Sequence, residues 1–236
     1  MNKSKNVDQF FTLPNNMTAE NKLSPSDVLI YLYLKSYDNP EHQCYPSLKR
    51  LSEDSEASIN TIRTCISNLE KCGYIKIKKI GKRNYYYFNS TKSFEPFSKE
   101  FLNNKNITFK EKAYIAASQQ YMFKDIESYG KMTFSRKELS SRLNISENSI
   151  YRYDNSLKNK GYLEELNTQL IDVETGCIKK EKLYKLKELG QAVVWKLSEH
   201  DKDIEKLKQD NKSKDKLISQ LIERVERLEK SSHFIV

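Results

Sequence analysis

Apolar positions along this chain change period several times, and each change marks an element. Phe10–Pro14 is a short apolar run that predicts an entry strand. Ser24-Pro25-Ser26-Asp27 reads as a helix start, because a serine hydroxyl accepts from the first free N–H groups and proline suits the first helical position. Val28, Leu29, Tyr31 and Leu32 form the buried side of this helix, which is expected to end near Asp38-Asn39-Pro40. Tyr45-Pro46-Ser47 caps a second helix reaching about Asp54. After a loop at Ser55–Ala57, Ser58 caps a longer helix over 59–72, where Ile59, Ile62, Ile66 and Leu69 recur at helical spacing and are expected to face the core. Beyond Gly73 the period drops to two. Tyr74-Ile75-Lys76-Ile77-Lys78 alternates as a half-exposed strand does, Gly81-Lys82-Arg83-Asn84 reads as the turn, and Tyr85–Phe88 as the returning strand.

The same pattern then recurs. Ser47 to Tyr74 and Ser135 to Tyr162 align without a gap at an offset of 88 (135 − 47). Ser47/Ser135, Lys49/Lys137, Leu51/Leu139, Ser52/Ser140, Ser58/Ser146, Asn60/Asn148, Ile62/Ile150, Leu69/Leu157, Gly73/Gly161 and Tyr74/Tyr162 are identical. A short helix, a turn, a longer helix and a glycine stop make a helix-turn-helix, here present twice. Thr108-Phe109-Lys110-Glu111 is a capping box that opens a helix to about Phe123, and Ser135 with Glu138 is another. Met132–Phe134 reads as a short strand; Leu163–Ile171 and Ile178–Leu186 read as a hairpin joined around 172–176. The polar stretch 90–106 lacks periodicity and reads as a linker. Two departures distinguish the second copy: Asp154 stands where Ile66 stood on the apolar face, and Asp172 and Glu174 occupy a hairpin tip that carries Lys and Arg in the first copy.

From residue 190 to about 232 the period lengthens to heptads. Leu197, Ile204, Asn211, Ile218 and Val225 fall at a positions, and Leu207, Leu221 and Leu228 at d. β-Branched residues at a with Leu at d favour a parallel two-stranded coil, and Asn211 would pin its register. Leu217 and Ile222 widen the apolar face, so a tetramer, or packing of the tail back on the body, also stays open.

Composition narrows the function classes. The formal net charge is +9, and 31% of the 236 residues are charged. The surplus is local: residues 47–92 carry ten Lys/Arg against four Asp/Glu and residues 105–187 sixteen against eleven, whereas from 188 onward ten face ten. Basic surplus confined to the two helix-turn-helix regions is what phosphate neutralisation requires. No apolar run approaches the roughly 20 residues of a membrane helix, and the N-terminus lacks a signal-peptide core, so the expected location is the cytoplasm. Cys44, Cys65, Cys72 and Cys177 show no metal-ligand spacing. No Gly-rich phosphate loop, HExxH or GxSxG occurs, and His42, His200 and His233 are scattered. Neither cofactor, metal nor enzymatic activity is expected.

The cap–helix–turn–helix–glycine–tyrosine pattern and the basic hairpin, up to about Asn89, resemble the winged helix-turn-helix domains of bacterial regulators and of plasmid or phage replication proteins. The resemblance implies a winged domain over 1–89; with the repeat and the heptads, the expected fold is mainly α with small β-hairpin wings, a linker over 90–106, a second winged-helix-like domain over 107–189 and a coiled-coil oligomerisation helix over 190–232. The expected partners are double-stranded DNA, a second copy of the chain bound through the heptad tail, and a replication or partition protein. A helix-turn-helix places its second helix in the major groove, N-terminal residues first. The exposed candidates there are Asn60, Thr61, Arg63, Thr64 and Ser67, with Arg63 suited to guanine O6/N7 and Asn60 to adenine or to a phosphate. Ser47 and Ser58 bring capped helix N-termini to phosphates, and Lys78, Lys79, Lys82 and Arg83 form a basic wing. In the second copy the equivalents are Asn148, Ser149, Tyr151 and Arg152, although its acidic tip is a poor phosphate contact. Regulator, replication initiator and partition adaptor are the functions this reading leaves open.

Overall fold

Serine and threonine hydroxyls start the helices where the sequence marks them. Each N-cap (Ser24, Ser47, Ser58, Thr108, Ser135, Ser146) has extended backbone and accepts from the N–H three residues on. The computed structural model describes residues 10–20, 22–89, 94–123, 128, 130–171, 178–186, 188–190, 206–216 and 218–222. Residues 1–195 form one compact unit and residues 196–236 another. The first unit begins with β1 (Phe10–Pro14), α1 (Pro25–Lys35), β2 (Gln43–Cys44), α2 (Leu48–Ser55), α3 (Ile59–Lys71), β3 (Ile75–Ile80) and β4 (Arg83–Phe88). It continues with β5 (Phe94–Ser98), α4 (Lys99–Asn103), α5 (Phe109–Ser118), β6 (Lys131–Met132), α6 (Arg136–Leu143), α7 (Glu147–Asn159), β7 (Leu163–Ile171) and β8 (Ile178–Tyr184).

The sequence repeat is a repeat of hydrogen bonds. The bounds of α6 and α7 are those of α2 and α3 shifted by 88 (136 − 48, 147 − 59). Both short helices end on a left-handed residue, Glu56 (φ 61°) and Asn144 (φ 52°). In both turns a serine hydroxyl donates to the carbonyl five residues on, Ser52 to Ala57 at 2.6 Å and Ser140 to Ile145 at 2.7 Å. Both long helices stop at a glycine with φ near +77°, Gly73 at 76° and Gly161 at 78°, conformations that disfavour any other residue. Each repeat carries a three-stranded sheet, ordered β2-β4-β3 and β6-β8-β7, whose first strand precedes the short helix and whose other two follow the long one.

The repeat extends further than the sequence alignment showed. Ser24 and Thr108 open capping boxes with Asp27 and Glu111, related by an offset of 84 (108 − 24). Each acid also holds the long helix of its own repeat: Asn68 Nδ2 donates to Asp27 at 3.2 Å, and Ser156 Oγ and Lys160 Nζ donate to Glu111 at 2.6 and 2.7 Å. Burial alone would raise the Glu111 carboxyl, but Lys160, Ser156 and Thr108 overcome it and hold the group below the ordinary carboxylate range. A lowered folded value means stability that is present above the unfolded value of 4.5 and is lost as pH falls through the folded one. Glu111→Gln is expected to destabilise the protein at neutral pH and to flatten this acid limb, read as melting temperature between about pH 3 and 7.

The two repeats pack into one body through their first helices. Every residue of α1 from Pro25 to Leu34 is buried, as is every residue of α5 from Glu111 to Ser118. Sequence periodicity indicated one buried side for α1; the helix also packs against α5, so its apolar run Val28–Leu34 is covered all round. The segment expected to be a linker over 90–106 instead contains β5 and α4. β5 pairs antiparallel with β1, and Phe97, Phe101 and Leu102 are buried. A strand whose partner lies over 80 residues away has no local signature, which is why its polar flanks suggested a linker. The compact unit also runs past the expected boundary at 189: Leu189 is buried, Gly190 (φ +92°) has backbone of Glu100 and Phe101 within 3.2 Å of where a Cβ would stand, and its carbonyl accepts from Ser98 Oγ.

Asp154 is buried on the core face of α7, and its environment explains the departure from Ile66. Lys182 Nζ lies 2.6 Å from its carboxylate, Tyr114 OH donates to it at 2.8 Å, and Tyr184 OH lies 3.0 Å from that of Tyr114. In the first repeat the equivalent positions are Ile66, Tyr86, Ile30 and Phe88. A four-residue polar network thus replaces four groups of a largely apolar core. Burial, and after it the facing tyrosine and Asp154, raise the Tyr114 phenol well above its usual range; burial and Asp154 do the same for Tyr184, so both remain protonated.

In the second compact unit, residues 206–216 and 218–222 are helical, and Leu207, Ile218, Leu221 and Ile222 are each more than half exposed. Asn211 lies on the same helix. Leu197, Ile204, Val225 and Leu228 lie outside the described residues, as do Asp172 and Glu174.

Candidate nucleic-acid interface

Local packing decides which side of α3 is left outward. Ile62, Cys65, Ile66 and Leu69 are buried, whereas Ile59 is 39% exposed and does not join the core as its spacing suggested. It occupies the first position of α3. On the opposite face Asn60, Arg63 and Thr64 are exposed, with Thr61 and Ser67 half-buried. Thr61 is tied to the cap, its hydroxyl 2.8 Å from Ser58 Oγ, and Thr64 Oγ1 donates to Asn60 O at 3.1 Å. Arg63 Nη1 lies 3.5 Å from Asn60 Oδ1, at the weak limit of a hydrogen bond, so the guanidinium is held near Asn60 without being committed to it. A shallow groove of about 400 Å³ separates this face from Ser24, Ser26 and Asp27 at the start of α1.

The hairpin β3–β4 is longer than the sequence suggested. Ile80 pairs with Arg83, so the turn is Gly81-Lys82 alone, and Arg83 and Asn84 belong to the strand. Gly81 takes φ +61°, as a two-residue hairpin turn demands. Lys76, Lys78, Lys79, Lys82 and Arg83 are all exposed along it, and none of them forms a salt bridge among the described residues.

One part of the site escaped sequence reasoning. A cleft of about 540 Å³ lies between the start of α2 and the wing, lined by Tyr45, Pro46, Ser47, Leu48, Lys82 and Arg83 together with Asn84 and Tyr86. Tyr45 is 53% exposed and leans on Tyr85, ring centroids 5.2 Å apart. Two cations face the positive end of α2 across this cleft, which suits it to an anion. An exposed aromatic before a helix cap was the available signal.

The second repeat presents a different surface on the same frame. Asn148, Tyr151 and Arg152 are exposed on α7, and Ser149, half-buried, lies 3.0 Å from the Ser146 cap hydroxyl. Tyr151 stands in the place of Arg63 and Arg152 in that of Thr64, both at the offset of 88. The guanidinium of Arg136, at the start of α6, lies 4.8 Å over the Tyr151 ring. Lys160 is paired with Glu111, and Lys158 with Glu165. The thiols of Cys44 and Cys65 lie in the first repeat's core, where burial pushes Cys44 up to about 12 and also raises Cys65; these are packing groups.

Comparison with known families matches residues 20–75 to a helix-turn-helix domain. That span runs from the approach to α1 through the start of β3, so the match rests on the helices carrying the exposed face described above. It supports DNA binding. Comparison with curated proteins gives no match. The small antiparallel sheets beside the helices are compatible with a winged helix-turn-helix. Among the described residues, no helix is long and apolar enough to cross a membrane.

Proposed function

We propose that this chain is a sequence-specific reader of double-stranded DNA, acting as a transcriptional regulator and not as an enzyme. The observation that carries the reading is the first repeat's outward face. Asn60, Arg63 and Thr64 sit on the second helix of a helix-turn-helix, beside a hairpin with five exposed cations. Arg63 and Asn60 read base edges in the major groove, while the α2 cleft and the wing hold phosphates on either side. Arg63→Ala is expected to cost about 1–3 kcal/mol of discrimination at one base pair and to leave binding to unrelated duplexes nearly unchanged. Fluorescence anisotropy against a set of single-base variants measures this. Equal losses on all duplexes would make Arg63 a phosphate contact.

The tail supplies self-association in this proposal. The heptad seam and the exposure of Leu207, Ile218 and Leu221 in a single chain support a parallel coiled-coil dimer. Truncation after residue 195, where the first compact unit ends, is expected to give a monomer that still melts cooperatively. Sedimentation equilibrium showing an unchanged oligomer would remove the coil from the proposal. A second reading, replication initiation or DNA partition, is favoured by the tail itself, a separate helical segment suited to recruiting a further protein. Sequencing of genomic fragments retained at physiological salt separates the two. Sites overlapping a promoter support the regulator, and clustered sites at an origin or partition locus support the second reading.

A further inference from the structure

The two repeats face one another like the halves of a symmetric dimer. In β1–β5 the central pair is Thr12 and Pro96, separated by 84 (96 − 12), the offset that relates the two capping boxes. The flanking pairs exchange under the same offset, since Phe11↔Phe97 maps onto Leu13↔Glu95. Lys110 Nζ donates to Ser26 Oγ at 3.1 Å, and these residues too are 84 apart (110 − 26). Away from the axis the correspondence holds between elements: the equivalent caps of the two short helices each reach the segment ahead of the other repeat's first helix. Glu56, the left-handed cap of α2, pairs with Lys105 ahead of α5 at 2.8 Å; Asn144, the left-handed cap of α6, donates to Thr18 O ahead of α1 at 2.9 Å. Self-pairing residues on the axis and exchanged contacts off it are the mark of a two-fold interface, here formed within one chain.

The axis emerges between the recognition helices. Asn60, Thr61 and Thr64 border the same groove as Ser26, one of the two axial residues. On the other side α7 is tied through Ser156 and Lys160 to Glu111, the neighbour of Lys110. Both helices therefore flank the Ser26–Lys110 contact, and Lys110 is exposed there. A two-fold axis that relates two reading helices meets DNA on its own local two-fold, so the half-sites are inverted.

We propose that a single chain reads an imperfect inverted repeat by itself, α3 on one half-site and α7 on the other, with Lys110 over the centre. This deepens the DNA-binding reading above and rests on it. The imperfection has a stated form. The halves share the base pairs addressed by Asn60 and Asn148, and they differ where Arg63 faces Tyr151 and Thr64 faces Arg152. A tail-linked dimer would then hold two such sites, one per chain.

The test is selection of duplexes from a random pool by the full chain, followed by titration of the selected duplex well above its dissociation constant. The expected result is two half-sites in opposite orientation and saturation at one chain per inverted repeat. Arg63→Ala relaxes one half only and Arg152→Ala the other, and reversing one half-site weakens binding by about tenfold or more. Half-sites in the same orientation, protection of a single half, or two chains per inverted repeat would overturn the proposal while leaving DNA binding intact. Failure to enrich any duplex would overturn both.

Discussion

Asp154→Ala is expected to destabilise the protein by about 3–5 kcal/mol, because it leaves the Lys182 ammonium buried without its counter-charge. Asp154 and Lys182 are 2% and 5% exposed, so water cannot replace the lost partner. Tyr114 loses its acceptor as well, which adds to the cost. The first repeat shows an alternative solution on the same frame, with Ile30, Ile66, Tyr86 and Phe88 at the equivalent positions. Installing that set (Tyr114→Ile, Asp154→Ile, Lys182→Tyr, Tyr184→Phe) is expected to recover most of the loss, since apolar packing of similar volume often equals or exceeds a buried ion pair. Urea unfolding of the wild type, the single variant and the quadruple variant measures this. A quadruple variant as unstable as Asp154→Ala would mean that the network does more than fill its place.

Lys82→Ala with Arg83→Ala is expected to weaken binding to every duplex and to reduce the slope of log K against log salt by about 2, one for each phosphate contact removed. Both side chains are exposed at the wing tip and line the cleft opposite the start of α2, so fold stability should hardly change. The contrast with Arg63→Ala is the informative part. Phosphate contacts fix register and carry salt dependence, whereas base contacts carry discrimination. Anisotropy titrations across about 50–200 mM salt read the slope directly. An unchanged slope would remove the hairpin from the interface and leave α3 without its flanking support.

Much of the local structure was legible in the residues. The six serine and threonine caps, the glycine stops, the helical spacing of Ile62, Ile66 and Leu69 and the alternation of Ile75 and Ile77 each depend on neighbours within a few positions. So did the identity of the outward face of α3, because a helix with one apolar stripe has only one side left for water. Ile59 fails this rule because periodicity places a residue on a face without saying where the cover over that face ends. The wing turn was misplaced by a similar margin, since Arg83 and Asn84 are acceptable both in a turn and on an exposed strand.

The chain's own residues determined two copies of one helix, turn, helix and glycine-stop pattern with their caps, their basic surplus and a largely apolar first helix. Only the tertiary structure decided that the copies are one body. β1 and β5 recognise each other across more than 80 residues, and α1 and α5 pack against one another, neither of which leaves a periodic trace in a local window. It also decided what Asp154 means: a carboxylate on an apolar stripe reads as a flaw until Lys182, Tyr114 and Tyr184, remote in sequence, are brought within hydrogen-bonding reach. Local rules act over a few residues, whereas pairing and charge compensation act between segments that meet only once the chain has folded.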